Sequence, residues 1–312
     1  MQYIRNFYQI SKKDTAMAGG KGASLGEMMN AKIPVPMGFV VIAPAFERFL
    51  GETDLLTAIQ AELNKVNYAD TNSIDRYSNV IRDLISRAKF PDDLKEEITA
   101  GFKKLKTTLV AVRSSATAED SKTASWAGEL ETYLNTDEKN LISNVKKCWS
   151  SLFTPRAIFY RHEKKLLKSK VSVAVVVQKM IQSDVSGICF TVHPVTQDKN
   201  QLIIEAGFGL GEAIVSGQIT PDSYVLDKRG WSIMDINISK QETKIEKIKG
   251  LTKTVQVPKV DQEKQKLPGK KIIQLAKLCG QIEKHYGFPC DIEWAMEKDK
   301  LYITQSRPIT TL

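Results

Sequence analysis

A chain of 312 residues, 42% hydrophobic and 26% charged, has the composition of a globular protein long enough for one large domain or two lobes. It holds no stretch resembling the roughly 18 uninterrupted apolar residues of a membrane span; the most apolar run, Val171 to Ile181, contains Ser172, Gln178 and Lys179. Much of the net charge of +9 comes from lysines between Lys240 and Lys271, where acidic residues intervene and aromatic ones do not, which argues against nucleic acid and suits a solvated face or a small anionic substrate.

The N-terminus, Met1–Gln2–Tyr3–Ile4–Arg5, has no apolar signal core, so a cytoplasmic protein is expected. The four cysteines, Cys148, Cys189, Cys279 and Cys290, form no C-x-x-C pair, and buried free thiols are expected.

In chain order, Gly19–Gly20–Lys21–Gly22 comes first, followed by an amphipathic helix over residues 23–31 and a strand at Gly38–Ile42, with Pro34 and Pro36 between them. Glycines before a helix let backbone N–H groups approach an anion, and a lysine among them can contact phosphate. The segment is not a Walker A loop, because Lys21 precedes Gly22 rather than Ser or Thr, and Thr15 stands where the upstream glycine belongs. A plain glycine turn accounts for it equally well. Residues 45–105 are helical by period, with a cap-like break at Asp70–Thr71–Asn72 and a helix start at Pro91.

Next comes a buried-type strand, Leu109–Val112, then Arg113–Ser114–Ser115–Ala116 and a small-residue run on to Gly128. Arginine at a strand end before a hydroxyl-rich loop suits a closing phosphate lid; a surface loop with Arg113 in a salt bridge is the alternative. Helices follow at about Asp137–Leu152 and Pro155–Leu167, and then short β segments at Val173–Val177, Gly187–Thr191, Leu202–Glu205, Tyr224–Asp227 and Trp231–Ile236. The run Gly207–Phe208–Gly209–Leu210–Gly211 has the spacing G-x-G-x-G with no evident helix after it, so a tight turn near a ligand fits better than a dinucleotide site.

The chain closes with a helix near Lys271–His285 and a hairpin of Asp291–Met296 with Leu301–Gln305. If the connecting loop has an odd number of residues, such as Lys298 to Lys300, Glu293 faces Gln305 and Asp291 faces Arg307. Hard oxygen ligands suit Mg²⁺ and arginine suits phosphate, while a structural salt-bridge cluster is the other reading. The class expected is mixed α/β or α+β with mostly antiparallel pairing.

Taken together, G-G-K-G-A-S-L-G-E-M, P-V-P-x-G-F, A-V-R-S-S-A-T-A-E-D, A-G-x-x-x-T-Y-L-N, V-Q-K-M-I, F-T-V-H-P, G-L-G-E-A-I-V-S-G-Q-I-T-P-D, D-I-E-W-A and Q-S-R-P-I-T occur in this order from about Lys21 to Ile309. They resemble the ATP-grasp nucleotide-binding domain of phosphoenolpyruvate synthase, pyruvate phosphate dikinase and the rifamycin phosphotransferases. The resemblance implies two lobes with mostly antiparallel sheets clasping the nucleotide, divided as an N-terminal lobe with the glycine segment and helical insert (1–106) and the remaining ATP-grasp lobes (107–312). It implies ATP and Mg²⁺ as cofactors. Lys21, Arg113 and Arg307 match the phosphate contacts and catalytic cations, and Gly128 and Thr132 match the lid. Gln178, Lys179, Met180 and Ile181 match the adenine hinge, with backbone groups of the hinge supplying contacts. Glu293 matches the metal carboxylate, with Gln305 a second metal ligand or phosphate contact. Asp291 also matches, in a role the motif leaves open.

In the resembled family, ATP phosphorylates a histidine on a mobile domain that swings to a separate acceptor site. That histidine follows a T-x-H type motif, and none of His162, His193 and His285 fits it. His162 and His285 read as surface or capping residues, and His193 as one that lines the nucleotide site or serves structure. The phosphohistidine and acceptor-binding domains are therefore expected on a partner chain or on a remainder of a longer polypeptide. Pyruvate is the expected acceptor; a rifamycin or phenol acceptor, or a non-catalytic ATP sensor, are the alternatives.

Overall fold

The computed structural model describes residues 2–117, 131–164, 166, 172–248 and 251–310. The chain divides into two compact units, one of Met1–Glu27 with Met37–Met180 and the other of Met28–Pro36 with Ile181–Leu312.

The first unit contains β1 (Ile4–Asn6), α1 (Thr15–Asn30, whose last residues group with the other unit), β2 (Gly38–Val41), then α2 (Ala43–Glu52), α3 (Leu55–Leu63), α4 (Thr71–Arg87) and α5 (Asp92–Lys104). These are followed by β3 (Val110–Ala116), β4 (Thr132–Thr136), α6 (Glu138–Ser150), α7 (Pro155–Glu163) and β5 (Val173–Lys179). The expected helix starts hold: Asp70 caps α4 by accepting from Asn72 N, and Asp137 caps α6 by accepting from Asn140 N. The five strands form one antiparallel sheet in the order β1-β2-β5-β3-β4.

Alternation along these strands gives the sheet two different faces. Phe39, Val41, Val110, Val112, Val173, Val175 and Val177 point into a core shared with the helices. At its centre Trp149, fully buried, lies against Phe46, Phe49 and Phe90 with ring centroids 5.0–5.4 Å apart. The opposite face carries Val40, Arg113, Ser115, Val176 and Gln178, and receives α1, where Gly22 abuts Val40.

Strand β3 runs further than its apolar residues suggest. The expected strand stops at Val112 with a loop after Arg113, whereas the ladder with β5 continues through Ser114↔Val175, Ser115↔Ala174 and Ala116↔Val173. Small hydroxyl residues stay in a buried strand because their oxygens are satisfied: Ser114 Oγ donates to Glu131 O at 2.9 Å and Ser115 Oγ to Ala18 O at 3.0 Å.

The second unit contains β6 (Val185–Phe190), β7 (Gln201–Phe208), α8 (Glu212–Val215), β8 (Asp222–Asp227), β9 (Ser232–Asn237), β10 (Thr243–Ile248), β11 (Leu251–Gln256), α9 (Gly269–Tyr286), β12 (Cys290–Glu297) and β13 (Lys300–Pro308). Its main sheet is antiparallel, ordered β13-β12-β6-β7-β8-β9, and β10 pairs with β11 in a separate ribbon within the lysine-rich stretch. The antiparallel α+β class is thus the one adopted, with a hairpin where only a solvated surface is expected. All four cysteines are free and buried, as expected. Among the described residues no helix is long and apolar enough to cross a membrane.

Gly187 shows how closely this sheet is packed: a Cβ there would lie 1.8 Å from the Glu205 carbonyl oxygen and 2.9 Å from Trp294 Cζ2. Gly187→Ala should therefore lower stability by about 1–3 kcal/mol through overpacking. Urea unfolding followed by tryptophan fluorescence measures it; an unchanged midpoint would mean that β6 and β7 part without cost.

Candidate functional site

In the first unit the glycine segment is not a loop ahead of a helix but a break inside one. Gly19, at φ 69° and ψ 169°, interrupts α1, and the helix resumes at once, so Lys21 lies in the first turn of the resumed segment. A glycine is required: φ is positive, and a Cβ at Gly19 would stand 2.1 Å from Ser115 Oγ. Lys21 Nζ donates to the Ser114 carbonyl at 2.9 Å, which sets its ammonium one residue along β3 from Arg113. Lys21 and Ser114 lie 93 residues apart in the chain, which hides this contact from the sequence.

Arg113 is 8% exposed and stands opposite Val176 on β5 and Thr132 on β4. Thr132 and Gln178 therefore share its face of the sheet, while Lys179, one residue on, is exposed. The expected hinge segment is tied down by its own amides: Lys179 N donates to Met37 O at 2.8 Å and Met180 N to Leu109 O at 3.1 Å. Those two N–H groups are committed within the protein. Gly128 and the rest of the expected lid before Glu131 lie outside the described residues.

In the second unit the closing hairpin pairs Glu293 with Gln305 and Asp291 with Arg307, as expected, but by another route. The turn has two residues, Lys298 and Asp299, both at positive φ (48° and 63°), between the paired Glu297 and Lys300. A two-residue turn alone would put Glu293 opposite Thr304. A bulge between Glu293 and Trp294 shifts the register by one and brings Gln305 into place.

Arg307 grips Asp291 Oδ2 through Nε at 2.8 Å and Nη2 at 2.7 Å. This contact gives Asp291 a role: it orients the guanidinium. Burial pushes the Asp291 carboxyl above its ordinary range, and Arg307 opposes the shift. The register also extends the row to a residue that motif reading passes over as part of the glycine run. Glu205 on β7 faces Ile188 on β6, which faces Glu293, so Glu205, Glu293 and Gln305 share one face of the sheet. Burial, and then Asp291, raise the Glu205 carboxyl. The one available signal for it is the β period running into Gly207.

Among the described residues no three His, Cys, Asp or Glu side chains converge as a metal cage. One carboxylate and one amide oxygen side by side still fit Mg²⁺, which takes few protein ligands and completes its shell with phosphate oxygens and water. The glycine turn at 207–211 is occupied by structure: Gly209 N donates to Asp184 O, Leu210 N to Ile245 O, and Gln241 brackets both backbone groups of Phe208. It leads into the short α8, a helix the spacing did not announce. His193 Nδ1 accepts from Val195 N and Thr196 N and so caps its own turn. His162 stacks on Tyr68, with ring centroids 4.0 Å apart.

The mixed α/β architecture with antiparallel sheets is that of an ATP-grasp-type nucleotide-binding domain. The chain belongs to the pyruvate phosphate dikinase AMP/ATP-binding domain family, whose model matches residues 15–312. It is 47% identical over its full length to a probable phosphoenolpyruvate synthase of Methanocaldococcus jannaschii, of which it covers 27%. It is 41% identical, again over its full length, to the phosphoenolpyruvate synthase of Pyrococcus furiosus, of which it covers 44%. It is also 38% identical over 99% of its length to a rifampicin phosphotransferase of Bacillus cereus, covering 36% of it. The chain thus spans less than half the length of these relatives.

Proposed function

We propose that this chain binds ATP with Mg²⁺ and donates a phosphoryl group to a histidine on a partner domain or subunit, toward phosphoenolpyruvate formation from pyruvate. The observation that carries the reading is the Glu293–Gln305 pair beside Arg307 locked on Asp291, an oxygen donor set next to an oriented guanidinium. Lys21 and Arg113, held on neighbouring residues of β3, supply further positive charge for phosphate. Gln178, on the Arg113 face, is assigned to the base.

Phosphoryl transfer asks the protein mainly for positioning and for charge neutralisation. The partner's imidazole nitrogen attacks the β-phosphorus, and the bond to the AMP oxygen breaks. The γ-phosphate then leaves to water, and the β-phosphoryl remains on the histidine for the acceptor. In this reading Lys21, Arg113 and Arg307 are each assigned to neutralising phosphate charge. Mg²⁺, held by Glu293 and Gln305, would screen the phosphate oxygens.

Pyruvate is assigned as acceptor because relatives named as phosphoenolpyruvate synthases match the whole chain at up to 47% identity. ATP labelled separately at β and γ, incubated with Mg²⁺ and a histidine domain from a relative, tests the half-reaction. β-label on the histidine with AMP formed is expected. Label retained entirely in bound ATP would make the chain a nucleotide sensor. Pyruvate and rifampicin offered in turn to the labelled histidine then decide the acceptor.

Glu293→Ala should weaken Mg²⁺-dependent ATP binding by about tenfold or more and abolish β-label transfer. Calorimetric titration with and without Mg²⁺ measures the first effect, and turnover equal to wild type would remove Glu293 from the metal site.

A further inference from the structure

In a continuous helix the Gly22 N–H would donate to the Ala18 carbonyl, four residues back. Here a side chain from 93 residues away stands between them. Ser115 Oγ accepts from Gly22 N at 3.1 Å and donates to Ala18 O at 3.0 Å, and Ser115 is fully buried. One hydroxyl is thus spliced into the helical ladder at the point where Gly19 breaks it, satisfying the donor and the acceptor that the break separates. The residue just before it on β3, Ser114, offers the carbonyl that receives Lys21 Nζ.

We propose that Ser115 is a positioning residue for Lys21: its hydroxyl holds α1 open at Gly19, and the open form is what directs the Lys21 ammonium onto β3 beside Arg113. Without the hydroxyl, Ala18 O and Gly22 N can rejoin directly, the helix closes by its own hydrogen bond, and Lys21 turns away from the Ser114 carbonyl. Arg113 keeps its place, because the β3–β5 ladder does not depend on α1. The inference rests on the reading of Lys21 as a phosphate contact, and it adds the group that makes the contact possible.

The test uses the full 312-residue chain and two probes, the non-hydrolysable ATP analogue AMP-PNP with Mg²⁺, and adenosine, titrated calorimetrically. Ser115→Ala should weaken AMP-PNP binding by about tenfold, the worth of one charge-assisted contact, and leave adenosine unchanged. In a Lys21→Met background the same substitution should add nothing, since the residue it positions is gone. Equal weakening of both probes, or an undiminished effect in the Lys21→Met background, overturns the proposal and leaves Ser115 as a packing residue. If Lys21→Met itself binds AMP-PNP as wild type does, the phosphate role of Lys21 fails and the proposal falls with it. If Lys21→Met is weakened while Ser115→Ala is not, only the positioning role fails. Should Ser115→Ala not fold, Ser115→Cys, which keeps the shape with a slightly larger atom and a weak donor and acceptor, is expected to show the same selective loss to a smaller degree; an equal loss for both probes overturns the proposal in that variant too.

Discussion

Arg113→Ala should slow β-label transfer to the histidine domain by about 10³-fold or more while leaving adenosine affinity unchanged, a loss in the range set by arginines that stabilise phosphoryl-transfer charge. Arg113 sits mid-strand in β3, 8% exposed, on the face that also carries Gln178 and away from the aromatic core around Trp149. Its loss therefore removes charge from the face that receives α1 without opening the helical core. Rapid-quench measurement of AMP formation reads the effect, and a rate within tenfold of wild type would take Arg113 out of the chemistry. Arg113→Lys separates charge from geometry: lysine keeps the charge but not the planar fork, so it should recover only part of the rate.

The second large effect concerns stability. Asp222 and Lys266 form a 2.8 Å ion pair with both side chains wholly buried. Asp222 also accepts from Ser239 N, Lys266 N and the Tyr224 hydroxyl, at 2.8–3.0 Å, while Lys266 Nζ donates a second time to Ser239 O. Burial and then Asp222 push the Tyr224 hydroxyl above its ordinary range. The network pins both ends of the lysine-rich excursion that carries β10 and β11 back onto β8. Asp222→Ala leaves a buried ammonium without its partner and should cost about 3–5 kcal/mol. Asp222→Ala with Lys266→Met should be less damaging than Asp222→Ala alone, because no charge then remains buried. Urea denaturation of the set decides it; a double variant as unstable as the single one would mean that the backbone bonds to Asp222, and not the charge pair, hold the segment.

These two cases mark where the sequence stops being legible. The helices of the first unit could be read because their causes are local: an apolar period, the Asp70 and Asp137 caps, and Pro91 before α5. The closing hairpin was legible as a pairing, since alternation placed Glu293 and Asp291 on one face. Its mechanism was not. A two-residue turn plus a bulge gives the same register as a three-residue loop, and nothing in Ile303–Thr304–Gln305 announces the bulge. The basic stretch read as solvent-facing because its lysines outnumber its apolar residues. It still forms a hairpin, since Thr243–Ile248 and Leu251–Gln256 satisfy each other's backbone.

By itself the sequence determined the α+β class, much of the strand and helix order and the buried free thiols, and it named Lys21, Arg113, Gln178, Glu293, Gln305 and Arg307 as candidates. Only the tertiary structure decided that β3 continues through Ser114 and Ser115, that α1 opens at Gly19 around a serine hydroxyl, that Asp291 aims Arg307, and that Glu205 joins the row of Glu293. Each of these depends on a hydrogen bond or strand register between residues far apart in the chain. A polar side chain's role is set by the partner that satisfies it, and the sequence names the residue but not the partner.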